Sequence, residues 1–135
     1  MNYRQGRTRY TSAMPDFHLL QAALQPIRFT PHLDAPPVEL HDYAVFYQLT
    51  ALPTTLHLGT VLSGDFQLAV QYWLPENASK TVLIAHGYYD HMGLYGHVVQ
   101  HFLEQGYAVL GFDLPGHGLS PGERASITTF DHYGD

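Results

Sequence analysis

The sequence has 135 residues, 45% hydrophobic and 13% charged, which suits one modest globular domain and excludes a disordered chain. It contains no cysteine, which excludes a disulfide framework and a thiolate zinc site and fits a reducing, cytoplasmic compartment. The formal net charge is −6 and three of the six basic residues lie in the first ten positions, so the acidic remainder argues against a nucleic-acid partner.

Residues 1–55 are predicted to form an N-terminal helical arm. Residues 1–14 are polar and expected to be loose, Pro15 suits the first turn of a short helix, and Pro26 ends that helix. Its apolar face is formed by Phe17, Leu20 and Leu24. We interpret it as a helix docked on the core, with a peripheral membrane contact as the alternative. No stretch approaches the roughly 20 apolar residues of a membrane span.

The proline-rich stretch 26–37 is predicted to be a connecting arm, followed by a second helix that starts at Pro37. Apolar residues repeat there at helical intervals, namely Val38, Val45, Leu49 and Leu52. The sequence of this arm does not indicate a function.

From Leu56 the hydrophobic period changes to two, and Ser63-Gly64-Asp65 separates two alternating segments. This pattern predicts an antiparallel hairpin. Its second strand has Phe66, Leu68, Val70 and Tyr72 on one face and Gln67, Ala69 and Gln71 on the other.

A parallel βαβ unit is predicted to follow the hairpin. The apolar run 81–85 is typical of a strand buried on both faces, and 107–112 is a second buried strand. The intervening helix is capped by Gly106 and has an apolar face formed by Leu94, Val98, His101 and Phe102. Hairpin and βαβ unit together predict a mixed α/β sheet.

Two loops follow the carboxyl ends of the predicted parallel strands, where functional groups of α/β sheets gather. They are HGYYDHMG at 86–93 and DLPGHGLSPGER at 113–124. A His-Gly turn after a buried strand can direct a backbone N–H into the crevice, near the positive end of the next helix. Such a donor suits the oxyanion that forms when a nucleophile attacks an acyl carbonyl.

The pair HGYYDHMGLY and DLPGHGLSPGER closely resembles the α/β-hydrolase fold, specifically its monoacylglycerol lipase and lysophospholipase branch, also grouped with S33-type serine aminopeptidases. The resemblance covers residues 56–135 and implies the N-terminal part of a hydrolase domain, incomplete because the nucleophile elbow, acid and histidine are expected downstream. It makes the backbone N–H of Tyr88 one oxyanion-hole donor. It also implies that seven residues support the two loops, namely His86, Gly87, His91, Asp113, Gly116, His117 and Gly118.

The resemblance implies an enzyme that hydrolyses carboxylic esters of the lysophospholipid or monoacylglycerol type through a Ser-Asp-His triad, without a cofactor. This chain alone is then expected to be inactive. A peptidase of the same branch and a non-catalytic fragment or module are the alternatives. A relative with an Asp nucleophile is disfavoured, because Tyr89 stands where those groups usually place Pro.

The segment 118–122 matches G-x-S-x-G literally, but we interpret Ser120 as a loop residue. Pro121 has no N–H to offer an oxyanion, and a triad would have to use the adjacent residues Asp131 and His132. In the family's sheet order, strand 81–85 lies next to the nucleophile strand. We therefore expect an apolar open edge and an isolated chain that is poorly soluble or partly molten.

His97 and His101 are four residues apart on a predicted helix, with His91 upstream. There is no H-E-x-x-H arrangement, and a metal site would need a third ligand and an open position, so we interpret them as partly exposed imidazoles and predict no metal site. Tyr88 and Tyr89 are candidates to line an acyl pocket.

Overall fold

The computed structural model describes residues 14–28 and 38–134. The elements in chain order are α1 (Phe17–Ala23), α2 (Val38–Phe46), a 3-10 helix (Leu49–Ala51), β1 (His57–Ser63), β2 (Phe66–Trp73), β3 (Thr81–Ala85), a 3-10 helix (Met92–Tyr95), α3 (Gly96–Glu104), β4 (Ala108–Phe112) and a 3-10 helix (Phe130–Gly134). Within these ranges, every helix is too short or too polar to cross a membrane. The predicted loose start, most of the connecting arm and the helix start at Pro37 lie outside the described residues.

The four strands form one mixed sheet in the order β1-β2-β4-β3. The first two strands pair antiparallel as a hairpin in which Gly64 and Asp65 make the turn, and β2 also pairs antiparallel with β4. The strands β3 and β4 are parallel neighbours joined by α3. The predicted hairpin, βαβ unit and mixed α/β sheet are therefore confirmed.

Helix α1 begins at Phe17 because the Asp16 carboxylate accepts the backbone N–H groups of His18 and Leu19, at 2.9 and 3.3 Å. The expectation that Pro15 lies in the first turn was therefore wrong, since it precedes the cap. Leu20 is buried in this helix and Leu24 just beyond it, as expected of a helix docked on the core.

The chain after α1 lies along the outer edge of β1. The Ile27 N–H donates to the Thr60 carbonyl and the Thr60 N–H donates to the Gln25 carbonyl, both at 2.9 Å. Pro26, between them, forms a parallel bridge with Thr60. These bonds occupy part of the edge that β1 would otherwise expose.

One hydrophobic core joins the helices to a single face of the sheet. Its buried members include Leu20, Leu40, Tyr43, Leu49, Ala69, Trp73, Ile84, Met92, Val99, Leu103, Val109 and Leu119. The N-terminal helices thus share their core with the sheet. The predicted cap at Gly106 is present and forms a Schellman motif, since the N–H groups of Gly106 and Tyr107 donate to the carbonyls of Leu103 and Phe102.

The buried face of α2 differs from the predicted one. Leu49 is buried as predicted, but α2 ends at Phe46 and Leu49 lies in the following 3-10 helix. Within α2 the buried residues are Leu40, Tyr43 and Ala44, whereas Val38 is 68% exposed. The apolar spacing misled the prediction because Tyr43 is a core residue whose hydroxyl finds a buried partner, the Gln71 amide of β2.

The buried face of α3 was also predicted incorrectly. Val99 and Leu103 are buried, whereas Leu94 and Val98 are exposed. The α-helix starts only at Gly96, after a 3-10 turn with three residues per turn, so Leu94 does not share the phase of the helix.

Strand β3 is not buried on both faces, contrary to the prediction. Ile84 faces the core, but Leu83 is 62% exposed, because the described α-helices pack against one face of the sheet only and β3 is an edge strand. The opposite face holds an open apolar groove of about 460 Å³, lined mainly by Val61, Phe66, Leu68, Val70, Leu110, Phe112, Leu114 and Pro115.

Substituting Gly59 by alanine should separate the chain at residues 25–27 from β1. A Cβ at this position would lie 2.7 Å from the Gln25 carbonyl oxygen and 2.8 Å from the Ile27 Cα, both backbone atoms. We expect Gly59→Ala to lower the free energy of unfolding by about 1–3 kcal/mol, measured by urea denaturation. Gly96→Ala is the control, because its Cβ would meet Leu49 at an ordinary 3.5 Å. Equal effects of the two substitutions would contradict the prediction.

Candidate functional site

The two loops predicted to carry chemistry meet at the carboxyl ends of the parallel neighbours β3 and β4. Residues 86–93 follow β3, and residues 113–125 follow β4. The structure brings all eight residues named for this site into these two loops. Hydrogen bonds between buried polar groups hold the loops together.

Asp113 connects the two loops. Its side chain is fully buried; one carboxylate oxygen accepts the Met92 N–H at 2.7 Å and the other accepts the Leu119 N–H at 2.8 Å. Burial raises the pKa of Asp113, and the two amide donors offset part of that rise. The carboxylate therefore fixes both loops relative to the end of β4.

His86 braces the same junction from the end of β3. Its buried ring accepts the Leu114 N–H on Nε2 at 2.9 Å, so Nδ1 carries the proton and donates to the Gly87 carbonyl at 2.7 Å. One imidazole thus spans both loops in a single tautomer.

Residues 87–90 form a tight turn, closed by the Asp90 N–H donating to the Gly87 carbonyl at 3.1 Å. Tyr89 takes a φ of 62°, a conformation that favours glycine. Within the described residues, the Tyr88 N–H has no hydrogen-bond acceptor, and the residue is half exposed. The Tyr88 hydroxyl donates to the Ala125 carbonyl at 2.6 Å. The turn is therefore held on several sides while one backbone donor stays unused.

His117 pins this turn to the second loop. Its buried ring accepts the Tyr89 N–H on Nε2 at 3.2 Å and donates from Nδ1 to the Pro115 carbonyl at 2.9 Å. The Tyr89 N–H is therefore occupied, whereas the Tyr88 N–H beside it has no acceptor within the described residues.

The glycines of the second loop are required by its shape. Gly116 and Gly118 have φ values of 69° and 48°. A Cβ at Gly118 would overlap the Asp113 carboxylate, and one at Gly116 would overlap the Glu123 carbonyl oxygen. The GHG sequence lets the loop fold back over Asp113.

Ser120 is buried, and its hydroxyl both accepts and donates a hydrogen bond. Its Oγ accepts the Ala69 N–H of β2 at 2.9 Å and donates to the Asp113 carbonyl. This arrangement supports the interpretation of Ser120 as a loop residue that fastens the second loop to the sheet.

His91 caps the 3-10 helix that follows the turn, where its Nδ1 accepts the Gly93 N–H at 3.2 Å. Burial lowers the pKa of His91, and the charges of Asp113 and Asp90 oppose part of that shift. The neutral ring is the form that accepts this bond.

His97 and His101 are both exposed on α3. In residues 14–28 and 38–134, no group of three His, Asp or Glu side chains is arranged to hold a metal ion.

Sequence reasoning missed the aromatic residues that surround His91, namely Phe17 and Tyr47. It also missed Asp90, whose carboxylate accepts the Tyr95 hydroxyl at 2.9 Å and the His91 N–H at 3.1 Å. An acidic residue next to a turn is visible in the local sequence, and this signal could have identified Asp90. The ring contacts join residues 44 and 74 positions apart, and no local pattern marks them.

Comparison with known proteins gives matches that cover part of the chain. Residues 76–135 match the family model described as serine aminopeptidase, S33. A monoacylglycerol lipase of Mycolicibacterium smegmatis is 34% identical over 71 residues, which cover 52% of this chain and 25% of that protein. An uncharacterised abhydrolase domain-containing protein of Dictyostelium discoideum is 39% identical over 72 residues, covering 52% of this chain and 8% of that protein.

Among solved structures, a soluble variant of monoglyceride lipase from Saccharomyces cerevisiae, in complex with a substrate analogue, has a TM-score of 0.51. The alignment has 23% identity and covers 59% of this chain and 28% of that chain, so it bears on the fold alone. The chain thus spans a quarter or less of the length of these two curated relatives.

Replacing the Asp113 carboxylate by an amide should loosen both loops. In Asp113→Asn one oxygen becomes an NH₂ group that faces a backbone N–H, so a buried donor loses its acceptor. We expect the free energy of unfolding to fall by about 1–3 kcal/mol in thermal or urea denaturation. Asp131→Asn, at an exposed position, should change it by less than about 0.5 kcal/mol. An Asp113→Asn variant with the same free energy of unfolding as the wild type would contradict this role.

The cap at His91 should make stability depend on pH. Its folded-state pKa lies below the ordinary 6.5, so the unfolded chain takes up the proton first and stability is lost as pH falls through 6.5 toward the folded-state value. His91→Asn keeps an acceptor for Gly93 but cannot titrate, so its unfolding free energy should vary less with pH below 6.5 than that of the wild type.

Burial also lowers the pKa of His57, so His57 likewise reduces stability as the pH falls. The variant His57→Phe measures this contribution separately. The exposed His97→Asn serves as the control for a histidine outside the site. Identical pH profiles for wild type and His91→Asn would contradict the proposed cap.

Proposed function

We propose, from the premise that this chain carries a monoacylglycerol-lipase-like N-terminal region of the α/β-hydrolase fold, that it supplies half of a serine-hydrolase active site. The half supplied is an oxyanion-hole donor, the backbone N–H of Tyr88. The domain boundary that we propose separates a helical arm, 1–55, from the hydrolase portion, 56–135.

The observation that supports this proposal is the state of the Tyr88 N–H. It has no acceptor within the described residues, while the N–H groups of Tyr89 and Asp90 beside it are both bonded. An unused donor in a rigid turn at the carboxyl end of a parallel strand is pre-organised, so stabilising a developing negative charge there requires no rearrangement.

The reaction proposed for the whole protein is ester hydrolysis. A serine beyond residue 135 attacks the acyl carbonyl, the Tyr88 N–H donates to the resulting oxyanion, and collapse of the tetrahedral intermediate expels the alcohol and leaves an acyl-enzyme. Water then releases the acid with the help of a histidine and an acidic residue from the same downstream segment. His86, Gly87, His91, Asp113, Gly116, His117 and Gly118 position the turn and touch no reacting atom.

The proposed substrate is a small lipid ester of the monoacylglycerol or lysophospholipid type, without a cofactor or a nucleic-acid partner. Support comes from the name of the Mycolicibacterium relative and from the exposed rings of Tyr88 and Tyr89 in the turn, which offer apolar contact for an acyl chain. We propose a cytoplasmic location, with only peripheral membrane contact.

A peptidase is the second candidate, because the matching family model carries the description of a serine aminopeptidase. The two readings share the oxyanion donor and differ in the leaving group. Monoacylglycerols and aminoacyl anilides, supplied to the same preparation of the whole protein, distinguish them by which one is cleaved.

Tyr88→Pro tests the donor directly in the whole protein. Proline removes the N–H, and its fixed φ suits the second position of a turn, so the backbone should keep its course. We expect kcat for ester hydrolysis to fall by about 10²–10³, the usual effect of losing one oxyanion donor. Tyr88→Ala removes the ring and the bond to Ala125 but keeps the N–H, and should retain most of kcat.

Equal activities of Tyr88→Pro and Tyr88→Ala would refute the donor role. Labelling of the whole protein by a fluorophosphonate probe checks the serine mechanism, and its absence would favour a non-catalytic module. Residues 1–135 alone should show no esterase activity above a Ser120→Ala control. Activity that depends on Ser120 would show that this serine is the nucleophile after all.

A further inference from the structure

We propose that the N-terminal helices position the oxyanion turn by holding the His91 imidazole in an aromatic clamp. The clamp consists of Phe17 from α1, Tyr43 from α2 and Tyr47, which directly follows α2. The inference deepens the role proposed for the Tyr88 N–H and rests on it. It assigns a task to an arm whose sequence indicates none.

Two rings of the clamp pack edge-on against His91. The Phe17 ring centroid lies 5.9 Å from that of His91 with an interplanar angle of 80°, and Tyr47 lies at 5.0 Å and 77°. Tyr43 joins them, with centroids 6.2 Å from Phe17 and 4.9 Å from Tyr47. Edge-to-face contact is the favourable arrangement of aromatic rings, so the imidazole is held in one orientation.

His91, whose ring the clamp holds, is joined to the turn through its backbone. The ring accepts the Gly93 N–H, and the His91 backbone N–H donates to the Asp90 carboxylate at 3.1 Å. Asp90 in turn closes the turn through its own N–H to the Gly87 carbonyl. The clamp therefore acts on the segment directly after the proposed donor, and its residues are positioning residues.

Tyr43 ties the clamp to the sheet. Its side chain is fully buried, and its hydroxyl accepts the Gln71 amide of β2 at 2.8 Å. A Cβ at Gly93 would lie 2.8 Å from this hydroxyl and 2.9 Å from the His91 ring. The close approach explains why residue 93 is a glycine although its φ is not positive.

The ring of Tyr47, and not its hydroxyl, makes the contact. That hydroxyl is buried and has no hydrogen-bond partner within the described part of the chain. Burial by the clamp also agrees with the lowered pKa of His91, which the charges of Asp113 and Asp90 oppose and those of His86 and Arg124 reinforce. A neutral imidazole is required to accept the Gly93 N–H.

The test compares Tyr47→Leu with Tyr47→Phe in the full chain by NMR. Tyr47→Leu removes the ring, so the titration midpoint of His91 should rise toward the ordinary histidine value. The Gly93 amide should exchange with solvent about tenfold faster, equivalent to about 1.4 kcal/mol of local stability. Tyr47→Phe keeps the ring and should match the wild type in both measurements.

Leu103→Ala controls for general destabilisation, because it truncates a buried core residue in the last turn of α3. It should lower Tm without moving the His91 midpoint. If Tyr47→Leu does not fold, Phe17→Leu removes the other edge-on ring and carries the same expectation. An unchanged His91 midpoint and Gly93 exchange rate in the folded ring-deletion variant, or equal changes in Leu103→Ala, would overturn the proposal.

These readouts do not depend on catalysis. Failure of the serine-hydrolase proposal would appear as absent probe labelling of the whole protein, whereas failure of the clamp would appear only in the His91 and Gly93 signals.

Discussion

The Asp113 carboxylate lies at the end of β4 with no exposure to solvent and accepts one backbone N–H from each of the two loops. A buried carboxylate is stable only if its oxygens are bonded, and both loops must therefore stay where they can donate. The other features of the site follow from this constraint. Gly118 is needed because any side chain there would overlap the carboxylate, and Ser120 fastens the Asp113 carbonyl to β2.

The same constraint leaves one donor unused. His86 and His117 each span both loops, and the N–H groups of Tyr89 and Asp90 in the turn at 87–90 are bonded, whereas the Tyr88 N–H has no acceptor within the described residues. The N-terminal helices add a second layer of support, since their core is continuous with that of the sheet and their rings pack against His91. The proposed oxyanion donor is therefore fixed by tertiary contacts on both sides of the loop.

Sequence alone predicted the hairpin, the βαβ unit and the two loops, because each rests on local periodicity or on residues close together in the chain. It misassigned the buried faces of α2, α3 and β3. Burial depends on which face of the sheet is covered, and the spacing of hydrophobic residues does not indicate this. Leu83 is apolar but exposed, whereas Tyr43 carries a polar hydroxyl but is buried. The His91 clamp and the bond between Ser120 and Ala69 join positions more than 40 residues apart, so only the fold reveals them.

The most direct test of the account is a crystal structure of the whole protein with a phosphonate bound covalently to its nucleophilic serine. The phosphonyl oxygen occupies the position of the oxyanion in such an adduct. We predict that this oxygen lies about 2.7–3.1 Å from the Tyr88 backbone nitrogen. The turn at 87–90 should keep the conformation it has here, with Asp90 bonded to Gly87. A phosphonyl oxygen held by other donors, with the Tyr88 N–H beyond hydrogen-bonding distance, would contradict the account.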